Sequence, residues 1–369
     1  MSQAQELFLS LVRFGIGLDV KFDTLPDNVD WKTLKDFATR QGLFTVVFDG
    51  VENMPQISRP PLTTWLQWIG EIQLEEERFN HQWNEACKMA QLFQQNNIRT
   101  YVLKGFVVSE CYPKPQHRVS ADFDCFLLPA EGDLDVWEKG NELIENTGYV
   151  VESVFYKNST FHLPGLMVEN HRYLVPFRGN KTLRRLEQYL QGELNESSKS
   201  SKGSSCSRFK GTELWKPPVM VSALFLIEHA YSHFLHEGLT WRHVLDWVMF
   251  SRKHKDEIDW NALEALINEF GFRRFYDSYQ QMGKLLLGEV VERDLTESEK
   301  KMLADIWAPL DLHETVRGFK GKLALAGNTL RARWKYHYFS EITMPHALWI
   351  QVTGFLFDKN PKLNCIQIL

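Results

Sequence analysis

Residues 118–128 read RVSADFDCFLL, an apolar run that predicts a β-strand and carries two aspartates, Asp122 and Asp124. Side chains alternate between the two faces of a strand, so both carboxylates lie on the same face. Two like charges held this close repel each other, and their apolar neighbours argue against full solvation. A cation between them removes the repulsion, and carboxylate oxygens suit magnesium. The pair therefore predicts a divalent-metal site.

The composition is that of an ordinary globular protein. The 369 residues are 44% hydrophobic and 24% charged, which allows a large core and two or three domains. A formal net charge of -5 gives no basic field, so we expect no large nucleic-acid partner. We expect a cytoplasmic protein without membrane contact, because no apolar stretch has the roughly 20 residues of a spanning helix and no signal-peptide pattern is visible. Five scattered cysteines without paired spacing indicate reduced thiols: Cys87, Cys111, Cys125, Cys206 and Cys365.

Hydrophobic periodicity divides the chain into four parts. The predicted domains are an N-terminal helical region (1–96), an α/β core (97–192), a flexible Ser-rich loop (193–212) and a C-terminal helical domain (213–369). The predicted strands are 98–103, 119–128, 149–156, 160–163 and 166–175. The predicted helices are 3–16, 31–40, a short one ending near 51, 63–95, 105–111, 133–146, 218–236, 239–254, 260–269, 274–286, 297–306 and 314–325.

A further acidic strand follows the aspartate pair. In the run LMVENH, residues 166–171, Glu169 and His171 share a face by the same alternation. A third carboxylate on a neighbouring strand would complete a three-acid site. Two divalent ions held by such a site clamp an in-line phosphoryl transfer.

Three motifs together resemble a known family. They are Leu103-Lys104-Gly105, Arg118-x-Ser120-x-Asp122-x-Asp124 and Val168-Glu169-x-His171. This pattern is similar to an uncharacterised bacterial nucleotidyltransferase family within the DNA polymerase beta-like nucleotidyltransferase superfamily. The helical N-terminal part and the later His229-x-x-x-His233 and Trp241-Arg242-x-x-x-Asp246 also resemble that family.

The resemblance implies an α+β fold, in which a minimal nucleotidyltransferase mixed β-sheet is flanked by N-terminal helices and a C-terminal helical bundle. It implies two Mg²⁺ ions on Asp122, Asp124 and Glu169, with Glu169 assisting deprotonation of the acceptor. It also implies a nucleoside triphosphate donor, with ATP the expected one. The acceptor, a small molecule or a protein, is not identified by the resemblance.

The chain departs from the superfamily at the phosphate turn. Lys104 precedes Gly105 and Phe106 follows it, so the usual hydroxyl after the glycine is missing. Lys104 can replace that contact as a point charge, or it can be an ordinary solvated lysine. Arg118 can clamp the leaving pyrophosphate or pair with a nearby acid. The predicted phosphate-binding set is Lys104, Gly105, Arg118 and Ser120.

The later histidines and charges have alternative interpretations. His229 and His233 are spaced i, i+4 on a helix, which suits zinc or a hydrogen-bonded pair facing the cleft. The zinc-peptidase pattern is excluded because its glutamate directly follows the first histidine, whereas Glu228 precedes it here. Arg242 and Asp246 can form a helical salt bridge or line the acceptor side of the cleft. We expect His171 to support the metal site by a hydrogen bond.

Two functional classes remain open from the sequence. The first is a magnesium-dependent nucleotidyltransferase acting on a small molecule or on a protein hydroxyl, including those of the Ser-rich loop. The second is a catalytically weak or inactive nucleotide-binding regulator of the same fold, which the missing turn hydroxyl favours. An enzyme releases pyrophosphate, whereas a regulator shows nucleotide-dependent thermal stabilisation without turnover.

Overall fold

The chain folds into a mixed sheet held between two groups of helices, as the sequence predicts. The computed structural model describes residues 1–18, 29–55, 58–130, 135–154, 156–177, 179–199, 206–236, 238–290, 293–308, 332–347 and 349. The N-terminal helices are α1 (Gln3–Gly15), α2 (Trp31–Arg40), α3 (Phe44–Asn53) and α4 (Leu62–Gln95). Helix α4 places Trp68 and Phe93 in the core, which confirms the long amphipathic helix.

The described residues contain a seven-stranded sheet. Its strand order is β3-β4-β5-β2-β1-β7-β6. The strands are β1 (Ile98–Val102), β2 (Asp122–Pro129), β3 (Val151–Val154), β4 (Asn158–Leu163), β5 (Leu166–His171), β6 (Ser207–Arg208) and β7 (Leu214–Lys216). The aspartate strand β2 lies at the centre, antiparallel to β1 and parallel to β5.

One face of the central strands is closed by a helix. Helix α6 (Val136–Asn146) packs on this face, where Asn170 donates to Asn141 Oδ1 at 2.9 Å and Trp137 Nε1 donates to the Asn170 carbonyl at 2.9 Å. These hydrogen bonds satisfy the Asn170 amide N–H and carbonyl, whereas Asn170 Oδ1 is buried without a partner among the described residues. The opposite face of β2 and β5 carries the acidic residues.

The remaining helices complete the molecule. They are α5 (Phe106–Ser109), α7 (Lys181–Lys199), α8 (Val219–His236), α9 (Trp241–Lys253), α10 (Trp260–Glu269), α11 (Arg273–Leu287), α12 (Glu297–Trp307) and α13 (Arg333–Phe339), with a 3₁₀ turn at Pro115–His117. Helix α8 is buried on most sides, and α9 packs against it and against α5. None of the helices in the described part of the chain is long and apolar enough to cross a membrane.

The largest difference from the sequence prediction concerns the Ser-rich segment. Helix α7 was not predicted, and it continues to Lys199, so the predicted loop is wrong over residues 193–199. Leu186, Leu190 and Leu194 form a buried stripe on this helix, which stabilises it despite the polar composition of its last turn. Strands β6 and β7 were also missed because they are only two and three residues long. The helix predicted at 314–325 lies outside the described residues.

Candidate active site

The acidic face of the sheet is built by strand register. Asp124 on β2 lies directly opposite Glu169 on the parallel strand β5, and Asp122 is two residues away on the same face. Carboxylate and imidazole atoms of Asp124, Glu169 and His171 lie within 4.8 Å of one another. Asp122 lies outside this group, and its side chain is 25% exposed, whereas that of Asp124 is 2% exposed. The structure thus brings together the acids that the sequence predicted.

A lysine provides the positive charge between the two aspartates. Lys104 Nζ lies 3.1 Å from Asp124 Oδ2 and 3.5 Å from Asp122 Oδ2. Burial opposes the charge of this ammonium, but Asp122, Asp124 and Glu169 outweigh that effect and raise the pKa of Lys104 above its usual value. Lys104 is therefore an integral cation of the acidic face rather than a solvated lysine.

His171 is a buried hydrogen-bond partner of the acids. Its Nε2 lies 3.0 Å from Asp124 Oδ1, and its Nδ1 lies 3.3 Å from the Tyr173 carbonyl. Both neighbours are acceptors, so both ring nitrogens donate and the ring is charged. Burial opposes this charge, but the hydrogen bonds to Asp124 and Glu169 outweigh burial and raise the pKa of His171.

Asp124 and Glu169 are held in their ionised form. Burial acts to raise the pKa of Asp124, but the charges of Lys104 and His171 outweigh it and hold that pKa below its usual value. The pKa of Glu169 is lowered in the same way, against burial, mainly by His171. Asn158 also donates to Glu169 Oε2 at 2.9 Å. The acidic face is thus anionic at neutral pH.

The turn before α5 lies next to the acidic face. Gly105 has φ 57° and ψ -102°, a conformation that favours glycine. Ser120 Oγ lies 3.5 Å from the point that a β-carbon on Gly105 would occupy, and it donates to the Asp122 carbonyl at 3.0 Å. A hydroxyl from the segment before β2 therefore sits beside the turn that has none of its own.

Arg118 is held by a buried carboxylate on α9. Its Nε and Nη2 donate to the two oxygens of Asp246 at 3.1 and 2.7 Å, and Nη1 donates to Ser120 at 3.0 Å. Tyr112 also donates to Asp246, at 2.7 Å. The structure thus pairs Arg118 with an acid, which was the alternative to a pyrophosphate clamp. The Arg242–Asp246 salt bridge that the i, i+4 spacing allowed is wrong, because within the described residues Asp246 pairs with Arg118 instead.

Three histidines meet on the helical side of the site. His229 and His233 on α8 are joined by His243 on α9, with ligand atoms within 4.8 Å of one another. Lys104 Nζ lies 3.1 Å from His229 Nε2, so this nitrogen accepts and Nδ1 carries the proton. Burial and the charge of Lys104 lower the pKa of His229 well below its usual value. The ring is neutral.

Sequence reasoning missed several residues of this wall. His243 and Tyr112 had no motif to mark them, and Asn158 lies on a strand predicted to begin two residues later. The one available signal was the proximity of His243 to Arg242 in the Trp241-Arg242 motif. Which helical residues face each other depends on how α8 packs against α9, and spacing along one helix does not report that.

A family model fits this geometry. The model described as "Uncharacterised nucleotidyltransferase" matches residues 27–288, which include the acidic face, the Gly105 turn and helices α8 and α9. A mixed sheet with acids on adjacent strands is the arrangement expected for this class of protein. The chain belongs to the uncharacterised nucleotidyltransferase family, and it is a nucleotidyltransferase. No curated protein and no solved structure matches the chain.

Proposed function

We propose that the protein is a cytoplasmic, magnesium-dependent enzyme that transfers a nucleoside monophosphate from a nucleoside triphosphate, with ATP the expected donor, to a small-molecule or protein acceptor. One observation carries the proposal. Asp124 and Glu169 face each other on neighbouring strands, with Asp122 on the same face, in a chain of a nucleotidyltransferase family. Such a set of convergent oxygen ligands is the chemistry that phosphoryl transfer requires.

The donor set fits a hard divalent cation. Within the described residues, Asp124 Oδ2 is buried without a well-aligned hydrogen bond and lies 3.1 Å from the Lys104 ammonium. Asp122 and Glu169 are partly exposed and add carboxylate oxygens on the same side. Asp122, Asp124 and Glu169 would hold Mg²⁺, which when bound neutralises phosphate charge and activates the acceptor oxygen.

The residues of the chain have separate roles in the reaction. The acceptor oxygen attacks the α-phosphorus, a new phosphorus–oxygen bond forms, and the bond to the β-phosphate breaks to release pyrophosphate. Glu169, which is anionic and 29% exposed, takes the acceptor proton. Lys104 offsets negative charge as phosphates approach the acids. His171 fixes the orientation of Asp124 through its hydrogen bond.

The test is a transfer assay with mass detection. The enzyme is incubated with Mg²⁺ and each α-labelled nucleoside triphosphate, followed by pyrophosphate measurement, intact-mass analysis and a metabolite screen. Asp122→Ala and Asp124→Ala serve as the site variants, and Asp36→Ala, an exposed acid on α2, as the matched control. We expect wild type and Asp36→Ala to release pyrophosphate and the two site variants to release none.

The assay also separates the alternatives. Label on the protein, above all on serines of the Ser-rich segment, would indicate a protein hydroxyl as acceptor. Label on a metabolite would identify a small-molecule acceptor. Magnesium-dependent nucleotide binding without pyrophosphate release would favour the regulatory alternative, and pyrophosphate release that survives in both site variants would overturn the proposed site.

A further inference from the structure

A partly open cavity lies between the acidic face and the side of the site formed by α8 and α9, which we call the helical wall. Its enclosed volume is about 20 Å³, and the space that includes its open mouth is about 430 Å³. Lys104 and Asp122 line its sheet side, and Arg242, His243 and Asp246 line its side on α9. The cavity is therefore continuous with the acidic face. It extends beyond that face to Arg242 and His243, which have no role in the proposed transfer reaction.

The two arginines of the cavity differ in how their charges are compensated. Arg118 is neutralised by Asp246 through two hydrogen bonds. Within the described residues, Arg242 makes one hydrogen bond, from Nη1 to the Val119 carbonyl at 3.1 Å, and meets no carboxylate at ion-pair distance. Its Nε is buried without any partner. Burial and repulsion from Arg118 lower the pKa of Arg242, although the group stays charged.

Within the described residues, Arg242 meets no counterion and its Nε is buried without a partner, which is costly in a folded protein. Fold stability alone would favour an apolar side chain of similar size at this position. The side chain of Arg242 is instead partly exposed and lines a solvent-connected cavity. An anion bound there would supply both the missing charge and the missing hydrogen-bond acceptors.

His229 and His243 face this region as neutral rings rather than as metal ligands. The Thr240 backbone N–H donates to His243 Nδ1 at 3.1 Å, so the proton of this ring is on Nε2. A ligating histidine shows the reverse pattern, in which the nitrogen away from the metal donates to an acceptor. His229 Nε2 likewise accepts from Lys104. Lys104 and Arg118 are already paired with carboxylates, so the charge of Arg242 is the one that would repel a metal cation and attract an anion here.

We infer that this cavity binds a phosphate group and that Arg242 is its principal binding residue. The inference rests on the proposed function and deepens it, because it assigns a phosphate-bearing ligand to the wall opposite the acids. A guanidinium fork suits the paired oxygens of a phosphate. The group belongs either to the polyphosphate of the donor or to a phosphorylated acceptor, and the two share this chemistry.

Binding of inorganic pyrophosphate tests the inference without the metal site. Calorimetric titrations are done in EDTA with the full chain, using wild type, Arg242→Gln, Arg242→Lys and the matched control Arg252→Gln, an exposed arginine on the same helix. We expect wild type and Arg252→Gln to bind alike and Arg242→Gln to bind about ten- to a hundredfold more weakly. Arg242→Lys keeps the charge but loses the fork, so we expect an intermediate affinity.

Thermal melting distinguishes binding from a structural role. Arg242→Gln removes an uncompensated charge, so its melting temperature should equal or exceed that of wild type. The inference is overturned if wild type does not bind pyrophosphate, or if Arg242→Gln binds it as tightly as wild type does. If Arg242→Gln does not fold, Arg242→Lys decides, and a folded Arg242→Lys that binds pyrophosphate as tightly as wild type overturns the inference.

A second titration identifies the source of the phosphate and separates this inference from the proposed function. Wild type and Arg242→Gln are titrated with a non-hydrolysable ATP analogue and Mg²⁺. If Arg242→Gln weakens this binding and pyrophosphate competes with the analogue, the group belongs to the donor. If neither happens and pyrophosphate binds beside the analogue, it belongs to the acceptor. Absence of magnesium-dependent analogue binding contradicts the proposed function alone, because the pyrophosphate titration needs no metal.

Discussion

The two walls of the site are constructed in different ways. On the sheet side, Asp122, Asp124 and Glu169 are fixed by side-chain alternation and by the register of β2 with β5. On the helical side, His243 and Asp246 come to the site because α9 packs against α8 and α5. Strand pairing is a local and repetitive geometry, whereas helix packing depends on the shapes of many side chains. The residues of the sheet wall can therefore be predicted from short sequence motifs, and those of the helical wall cannot.

The charges of the two walls also differ. On the sheet side, Asp122 and Glu169 are partly exposed and Asp124 is buried, and Lys104 and His171 compensate their charges. The helical wall contains a fully formed buried ion pair, Arg118–Asp246. This contrast suggests that the sheet wall carries the reaction and that the Arg118–Asp246 pair holds the helical wall in place. Asp122→Asn and Asp246→Ala test that division, and two further substitutions test local contributions to stability.

The largest effect is expected on turnover for Asp122→Asn. The change keeps the size of a side chain that is 25% exposed but removes one charge from the acidic face. We expect transfer activity to fall on the order of a thousandfold, because charge stabilisation in the transition state is lost. The unfolding free energy should change by less than about 1 kcal/mol. Rate assays and urea titrations measure the two quantities, and a comparable loss of both would contradict the division.

The opposite result is expected for Asp246→Ala on the helical wall. It leaves the Arg118 guanidinium buried without its acceptor and removes the partner of Tyr112. We expect a loss of about 3 kcal/mol or more in unfolding free energy. The control is the double variant Arg118→Met/Asp246→Leu, which removes both charges and should recover most of the stability. A single variant within 1 kcal/mol of wild type would show that the pair does not hold the wall.

A pH-dependent contribution to the unfolding free energy is expected at the junction between the N-terminal helices and the segment before β2. His117 Nδ1 lies 2.6 Å from Asp49 and Nε2 lies 3.0 Å from Glu76. Burial opposes a charge on His117, but these hydrogen bonds outweigh burial and raise its pKa. The stabilisation is therefore complete below the unfolded pKa near 6.5 and is lost as the pH rises through the raised value.

His117→Asn should accordingly cost about 1.5–3 kcal/mol at pH 6 and less at pH 9. Melting temperatures across this range measure the difference from wild type. His162→Asn is the matched control, because His162 is half-exposed and pairs with Glu152 at the surface, where little stability is expected. If the loss of melting temperature in His117→Asn grew toward pH 9, it would contradict a raised pKa of His117.

The smallest effect is expected at the Gly105 turn. An alanine there makes only ordinary van der Waals contacts, the nearest 3.5 Å from Ser120 Oγ, but must adopt φ 57° and ψ -102°, which costs about 1–3 kcal/mol. Gly70→Ala in α4 is the control, since it meets no close atom and lies in a helix, where it should stabilise by about 0.5–1 kcal/mol. Urea titrations should therefore show opposite signs for the two substitutions, and equal signs would contradict the conformational argument.

Much of the fold and one wall of the site follow from the sequence. The acidic strands and the long helix α4 were predicted because their patterns repeat with periods of two and 3.6 residues. Helix α7 was missed because its polar last turn resembles a loop in composition, although its leucines pack into the core. The partner of Arg118 and the position of His243 were not predictable, because both depend on contacts between residues more than one hundred positions apart or on helix packing.

Metal-dependent nucleotide binding tests the central claim most directly. Wild type and Asp124→Asn are titrated calorimetrically with a non-hydrolysable ATP analogue, with Mg²⁺ and with EDTA. We expect wild type to bind at least about tenfold more tightly with Mg²⁺, and we expect Asp124→Asn to lose this difference while it stays folded. Equal binding in both proteins, with and without the metal, would contradict a metal-dependent nucleotide site on the acidic face.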